Sequence, residues 1–374
     1  MAAEGKGKKM MKSAVFFIAL VIVVFAVILW LGDPKRLLAA VKNADPVYLI
    51  IGIGCICCFI CCESINIGRV LKALGYKVGF MQKLKYGAAG FFFSGITPSA
   101  SGGQPMQLYY MSRDKINLSH GTISLIVELM GFQIVTISIA LFGLIYERGY
   151  ISTLKTVVRV LIYVGISVST LILILIIVLL LSRRIAAHAE TLLKLIFLKL
   201  KKDKYIAKIT EQMDEYRIGT RYIVRQPKLL IKNILTAFIQ MSAMYSITYL
   251  VYLALGGSGC GWLQIFLLQA VLTAGIMVIP LPGGTGAGEG GFSLVFSSVF
   301  TGGMMMPGIV LARGLSFYFG LVITGAFLLV IWLRARAAAK RRNGAAGHQD
   351  SRSDGERGDT TEDHNNAVHE GDIK

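Results

Sequence analysis

Glu63, Glu128, Glu289 and Arg313 each stand inside a strongly apolar stretch, and Arg69 stands at the boundary of the stretch that holds Glu63. Charge in such surroundings is costly, about 2.5–3.5 kcal/mol per residue on insertion scales at mid-bilayer, so intramembrane charges are functional candidates by default. Carboxylates there can hold an amine, and guanidinium groups can hold a phosphate. Glu128 lies about nine residues into its run, ~13 Å deep at the helical rise, and Arg313 about six residues, ~9 Å. Glu63 and Asn66 share a helix face, whereas Glu63 and Arg69 do not, which predicts a partner for each on another element. The alternative role for these charges is interhelical pairing that only fixes the fold.

Two glycine- and proline-rich breaks interrupt the apolar segments nearby. The first runs from Gly95 to Pro105 (GITPSASGGQP) and the second from Ile279 to Gly291 (IPLPGGTGAGEGG). Pro98, Pro105, Pro280 and Pro282 each remove a backbone donor and disfavour helix just before them. Backbone that cannot stay helical is tolerated at membrane depth only where protein covers it or where it lines a polar cavity. Thr97, Ser99, Gly103 and Gln104 in the first break, and Gly284, Thr285 and Glu289 in the second, can cap helix ends and line such a cavity. A half-helix starting at Pro105 would point free N–H groups inward, as anion sites do. Two such breaks in corresponding halves of a chain mark a transporter binding site. Small residues also allow close helix packing, but double prolines with embedded Ser, Thr, Gln and Glu favour a site.

The elements that must position these residues are membrane helices. The 374 residues are 55% hydrophobic and 16% charged, with a mean hydropathy of +0.63. Soluble domains carry about a quarter charged residues, so the pattern predicts an all-α polytopic membrane protein. Spans are expected near Ser13–Leu31, Val47–Ile67, Ser119–Ile145, Leu161–Leu181, Ile234–Leu255 and Pro307–Leu333, with the broken segments Tyr86–Tyr110 and Trp262–Phe300 as re-entrant additions. Six spans with two re-entrant segments place every strongly basic stretch on one side, as the positive-inside rule requires. Span, re-entrant segment, span then occurs twice with opposite orientation, an inverted-topology arrangement.

This reading divides the chain into a basic cytoplasmic N-terminus over 1–12, a transmembrane domain over 13–336 and a polar, disordered tail over 337–374. Within the domain, 183–232 forms a basic amphipathic cytoplasmic segment; Leu192 to Leu200 alternate with lysines, as in a helix on the inner leaflet or one packed on the protein. The formal charge of +18 borders spans and accompanies no nucleic-acid fold motif, so anionic inner-leaflet lipids are the expected partner and nucleic acid is not.

Other chemistry finds little support. Cys55, Cys57, Cys58, Cys61 and Cys62 crowd one span without a histidine and read as packing residues rather than a metal site. Gly286, Gly288 and Gly291 match G-x-G-x-x-G with no strand before them, so dinucleotide binding is set aside. His120 and His188 have no evident Ser or Cys partner for nucleophilic catalysis. No cofactor and no catalytic residue are expected.

Glu63 to Arg69, the break Thr97-Pro98-Ser99 with Gly102-Gly103-Gln104-Pro105, Glu128, the run Pro282 to Glu289, and Arg313 resemble the flippase-like membrane domain of lysylphosphatidylglycerol synthases over about Ser13 to Arg336. Full-length members join that domain to a cytosolic transferase that moves lysine from charged tRNA to phosphatidylglycerol, protecting the cell against cationic peptides. Here a polar tail stands where the transferase would be, so the resemblance is to stand-alone members. It implies a lipid translocase of the bacterial cytoplasmic membrane, with both termini cytoplasmic, acting on an anionic or aminoacylated phospholipid such as lysyl-phosphatidylglycerol. Glu63, Glu128 and Glu289 would hold the amine; Arg69, Arg313 and half-helix N-termini would hold the phosphate. The alternatives are phosphatidylglycerol lysyltransferase activity, with a separate cytosolic aminoacyl transferase as partner, and ion-coupled transport of a small solute.

Overall fold

In the computed structural model the described residues are 41–97, 100–181, 191, 206–276 and 286–335. The expected first span, the N-terminus, the polar tail, His188, the Leu192–Leu200 pattern, Ser99, Gly284 and Thr285 lie outside them. Residues 1–325 form one compact unit and 326–374 a second; in the second, the described residues 326–335 are helical.

The described residues are helical, with no strand among them. In chain order they form α1 (Pro46–Ala73), α2 (Phe80–Gly95), α3 (Gly103–Arg113), α4 (Leu118–Tyr146), α5 (Arg148–Thr153), α6 (Thr156–Leu181), α7 (Ile206–Val224), α8 (Pro227–Ala254), α9 (Trp262–Ile276), α10 (Ala287–Val295) and α11 (Met305–Arg313), which runs on into a π-helical turn, Gly314–Phe319. Among the described residues five helices are long and apolar enough to cross a membrane: α1, α4, α6, α8 and the stretch Met305–Ala335. They correspond to five of the six expected spans, with ends displaced by up to seven residues because caps, and not hydropathy, set the boundaries. Asp45 caps α1 by accepting from the Val47 N–H at 2.8 Å, with Pro46 in the first turn, and Asn117 caps α4 through the Ser119 N–H at 2.9 Å. Pro227 starts α8 seven residues before the expected Ile234.

Both broken segments fold back as helical hairpins. The arms are 16 residues for α2, 11 for α3, 15 for α9 and 9 for α10, or about 24, 16, 22 and 14 Å at the helical rise. Each falls short of the ~30 Å hydrocarbon core. In the first hairpin Lys85 meets Asp114 at 2.6 Å, Gly90 lies against Gln107, and Gly103 against Ser94 and the Gly90 carbonyl. These pairs step evenly inward, so α2 and α3 are antiparallel and leave on the side they entered. In the second, Gly291 of α10 lies on Leu272 and Ile276 of α9. Phe292, Phe296 and Phe300 then cluster with Tyr252 at the end of α8.

The two hairpins enter from opposite ends. At one end the loop after α1 meets the start of α4, where the Tyr76 hydroxyl accepts from the Asn117 N–H at 3.1 Å. The first hairpin's feet and α7 are also there, the latter through Ser119 and Gln212. Lys72, Lys77, Lys83, Lys115, Arg217, Arg221 and Arg225 gather at this end. At the other end the Asp45 N–H donates to the Ala254 carbonyl at 2.9 Å, and Tyr150 donates to the Val295 carbonyl at 2.7 Å; the second hairpin opens here. The described part of the basic amphipathic segment, α7, docks on α4: Ile223 is fully buried with Ile123 and Val127, and Gly219 lies against the Ile123 side chain. Val157, Leu171 and Leu175 on α6 are exposed, as suits a helix facing hydrocarbon.

Candidate functional site

The tips of both hairpins reach the last long helix within a few residues of each other. Gly95, at the tip of the first, lies on Leu321 and Phe317; Gly288, at the start of α10, lies on the Arg313 guanidinium. Between them sits the π turn Gly314–Phe319. A π turn widens the helix and frees backbone groups, and such turns recur at functional sites.

Beside this junction is a cavity of about 400 Å³. Its polar wall is built from four elements: Glu63 of α1, Gln104 and Gln107 of α3, Glu128 of α4 and Gln240 of α8. Its apolar wall is aromatic, from Phe59, Phe91, Phe132 and Phe317. The positions follow from helical periodicity. Phe59 and Glu63 are one turn apart on α1, Glu128 and Phe132 on α4, and Gln240 and Met244 on α8.

The Gln107 side-chain N–H donates to Glu63 Oε1 at 2.8 Å. Glycine makes this bridge fit: a Cβ on Gly90 would stand 2.6 Å from Glu63 Oε1 and closer still to Gln107 Nε2. Gly87 and Gly103 permit similar approaches to Ser64 and Ser94, so three glycines draw α1, α2 and α3 together. Glu128 takes part in no hydrogen bond or ion pair among the described residues. Gln240 is 1% exposed, and its side-chain oxygen has no partner among them.

The remaining sequence-predicted residues lie elsewhere. Arg69 reaches across to α8, donating to Asn233 Oδ1 at 2.6 Å and Thr236 Oγ1 at 2.9 Å, as well as to Asn66 Oδ1 at 2.8 Å on its own helix. Glu63 and Arg69 therefore do find partners on different elements. Among the described residues no carboxylate pairs with Arg69. Thr97 works inside the first tip, donating to the Phe93 carbonyl at 2.6 Å and accepting from the Gly102 N–H at 2.9 Å. Gly103 opens α3 two residues before Pro105 and serves the hairpin contact. Glu289 and Arg313 pair with each other at 2.9 Å, with side chains 10% and 18% exposed. Glu289 Oε2 also accepts from the Gly286 N–H, and Arg313 stacks over the Phe317 ring at 4.9 Å. This pair joins the second tip to the last helix, and through Phe317 it borders the cavity.

Sequence reasoning missed Gln107, Gln240, the aromatic wall and the π turn. Gln240 was findable as the one amide within the expected span Ile234–Leu255. The phenylalanines were not, since nothing in the sequence separates them from lipid-facing or core aromatics.

Two inverted helical hairpins and the spanning helices around them define a multi-pass membrane protein, with two glutamates lining a largely apolar, partly open cavity beside the first hairpin. The chain belongs to the family described as the lysylphosphatidylglycerol synthase TM region, which it matches over residues 16–324. It is also similar to the UPF0104 membrane protein of Pyrococcus horikoshii, at 24% identity over 314 residues covering 81% of this chain and 92% of that one.

Proposed function

We propose that the chain is a lipid translocase of the cell membrane that passes the head group of an anionic or aminoacylated phospholipid, such as lysyl-phosphatidylglycerol, between the two hairpins. The observation that carries this reading is a cavity of about 400 Å³ that holds Glu63 and Glu128 against the first hairpin, a size suited to a head group, with the second hairpin's tip one contact away through Arg313 and Phe317. Glu63 and Glu128 face the amine, and the aromatic wall accepts the aliphatic part and adds cation–π attraction. Arg69 supplies the phosphate contact: a guanidinium has five N–H donors, and the three hydrogen bonds to Asn66, Asn233 and Thr236 leave two for a ligand. Arg69 lies six residues nearer the basic end than Glu63, ~9 Å along the axis, so the phosphate sits towards the leaflet and the amine deeper. The basic end faces the cytoplasm by the positive-inside rule and attracts anionic lipids there, with both termini on that side. The Glu289–Arg313 pair holds the second hairpin in register while the head group passes.

The test is translocation in liposomes of labelled phosphatidylglycerol and its lysyl ester, scored by accessibility from each leaflet. Head-group-selective translocation that is lost in Glu128→Gln, with the variant still monodisperse, is expected. Failure to move either lipid, or wild-type rates in both Glu63→Gln and Glu128→Gln, would sink the reading.

A further inference from the structure

We infer that Glu63 and Glu128 form a single proton-exchange site: the pair holds one proton when the cavity is empty and releases it when a ligand's ammonium group enters, coupling head-group passage to proton movement the opposite way. The inference rests on the translocase reading and supplies its coupling ion.

Two carboxylates share this cavity with no cation lining it among the described residues. The groups facing it from each packed element are Glu63 from α1, Gln104 and Gln107 from α3, Glu128 from α4, Gln240 from α8 and Phe317 from the π turn; α2 presents only Gly90, Phe91, Ser94 and Gly95. Of the charges outside the lining, Arg69 bonds Asn66, Asn233 and Thr236 and keeps its two remaining donors for the phosphate, and Arg313 pairs with Glu289. The Cys62 thiol, on the residue before Glu63 in α1, is paired with Cys58 one turn back. Two carboxylates in one apolar-walled site cannot both ionise cheaply, and one retained proton removes the repulsion. The protons then belong to the pair rather than to either residue.

Gln240 gives an independent pointer to what enters. Its buried side-chain oxygen accepts from no donor among the described residues, and an acceptor in that position calls for an O–H or an N–H. The O–H of a carboxylic acid and the N–H of an ammonium both answer, and they compete for the same place. An ammonium has three donors, matched by Glu128, the Glu63 oxygen that Gln107 does not use, and Gln240. Charge balances in the exchange. The singly protonated pair carries one negative charge; when the ammonium arrives the proton passes to water, and the ion-paired site again carries one. The carboxyl O–H breaks and an O–H on the accepting water forms; no other covalent bond changes.

The experiment uses the full chain in liposomes and two readouts. Infrared difference spectra report a carboxylic-acid C=O band, and a pH dye in weak buffer reports protons released on adding lysyl-phosphatidylglycerol or phosphatidylglycerol. The expected result is an acid band at neutral pH that is lost in Glu63→Gln and in Glu128→Gln. It should disappear in the wild type on binding the lysyl lipid with release of about one proton, the exchange of one charge for another, and persist with phosphatidylglycerol. Absence of the band at neutral pH, or lysyl-lipid translocation with no proton release, overturns the exchange and leaves the translocase reading standing. Neither lipid binding nor moving overturns that reading and the exchange with it.

Discussion

Replacing Gly90 by alanine adds one methyl group where α2 passes the Glu63–Gln107 bridge. The new Cβ would lie 2.6 Å from Glu63 Oε1 and nearer still to Gln107 Nε2, well inside the ~3.5–4.0 Å of ordinary heavy-atom contact. Three terms decide the sign. Alanine in a helix interior gains up to about 1 kcal/mol over glycine. Overpacking a tight contact costs about 1–3 kcal/mol. Displacing a hydrogen bond to a charged or partly buried acceptor costs about 1.5–3 kcal/mol more. The side-chain ends can swing aside, so the last two terms overlap, and the net expectation is a loss of about 1–3 kcal/mol with disrupted cavity geometry. Gly54 on α1 is the control, since a Cβ there meets nothing within 4 Å and only the favourable term remains. Thermal unfolding of the purified protein in detergent, followed by the fraction still monodisperse, should place Gly90→Ala below wild type and Gly54→Ala at or above it. Lysyl-lipid translocation should fall in the first and persist in the second. Equal stability of the two variants would refute the claim that glycine is required at 90 by close approach.

Three further outcomes follow from the same packing. Arg313→Ala strands Glu289, whose side chain is 10% exposed, and should cost about 3–5 kcal/mol, while the double variant with Glu289→Gln should recover part of that loss; a thermal double-mutant cycle reads the coupling. Asp114→Asn weakens the clamp made by Lys85 at 2.6 Å and the Tyr86 hydroxyl at 2.5 Å by about 1.5–3 kcal/mol, and hydrogen exchange should rise over residues 76–86 and 113–117 with the second hairpin unchanged. At Gly165 of α6 an added Cβ runs into the backbone of Gly275 on α9. Backbone cannot rotate away, so Gly165→Ala should be more damaging than Gly90→Ala in the same unfolding measurement, by at least about 1 kcal/mol.

Much of the fold was legible because a bilayer leaves few choices. Runs of apolar residues about 20 long have to be helices that satisfy their own backbone, which is why α1, α4, α6 and α8 stand where hydropathy puts them. The prolines and glycines of the two breaks required that the helix stop, and arms too short to cross forced each segment back on itself. The site was legible only in part. An intramembrane glutamate announces itself, so Glu63, Glu128 and Glu289 were visible as candidates. Their partners were not, because a pair such as Glu63 with Gln107, 44 residues on, is set by how α1 and α3 cross.

The sequence by itself determined that this chain spans a membrane, where its helices break, and which charges are buried at expense, because desolvation and backbone hydrogen bonding are local properties of residue type. Only the tertiary structure decided which of those charges share a space. It joined Glu289 to Arg313 and turned Arg69 toward α8. It left Glu63 and Glu128 facing one cavity with no cation lining it among the described residues, because helix crossings made close by Gly87, Gly90 and Gly103 fix side-chain neighbours that no spacing along the chain can encode.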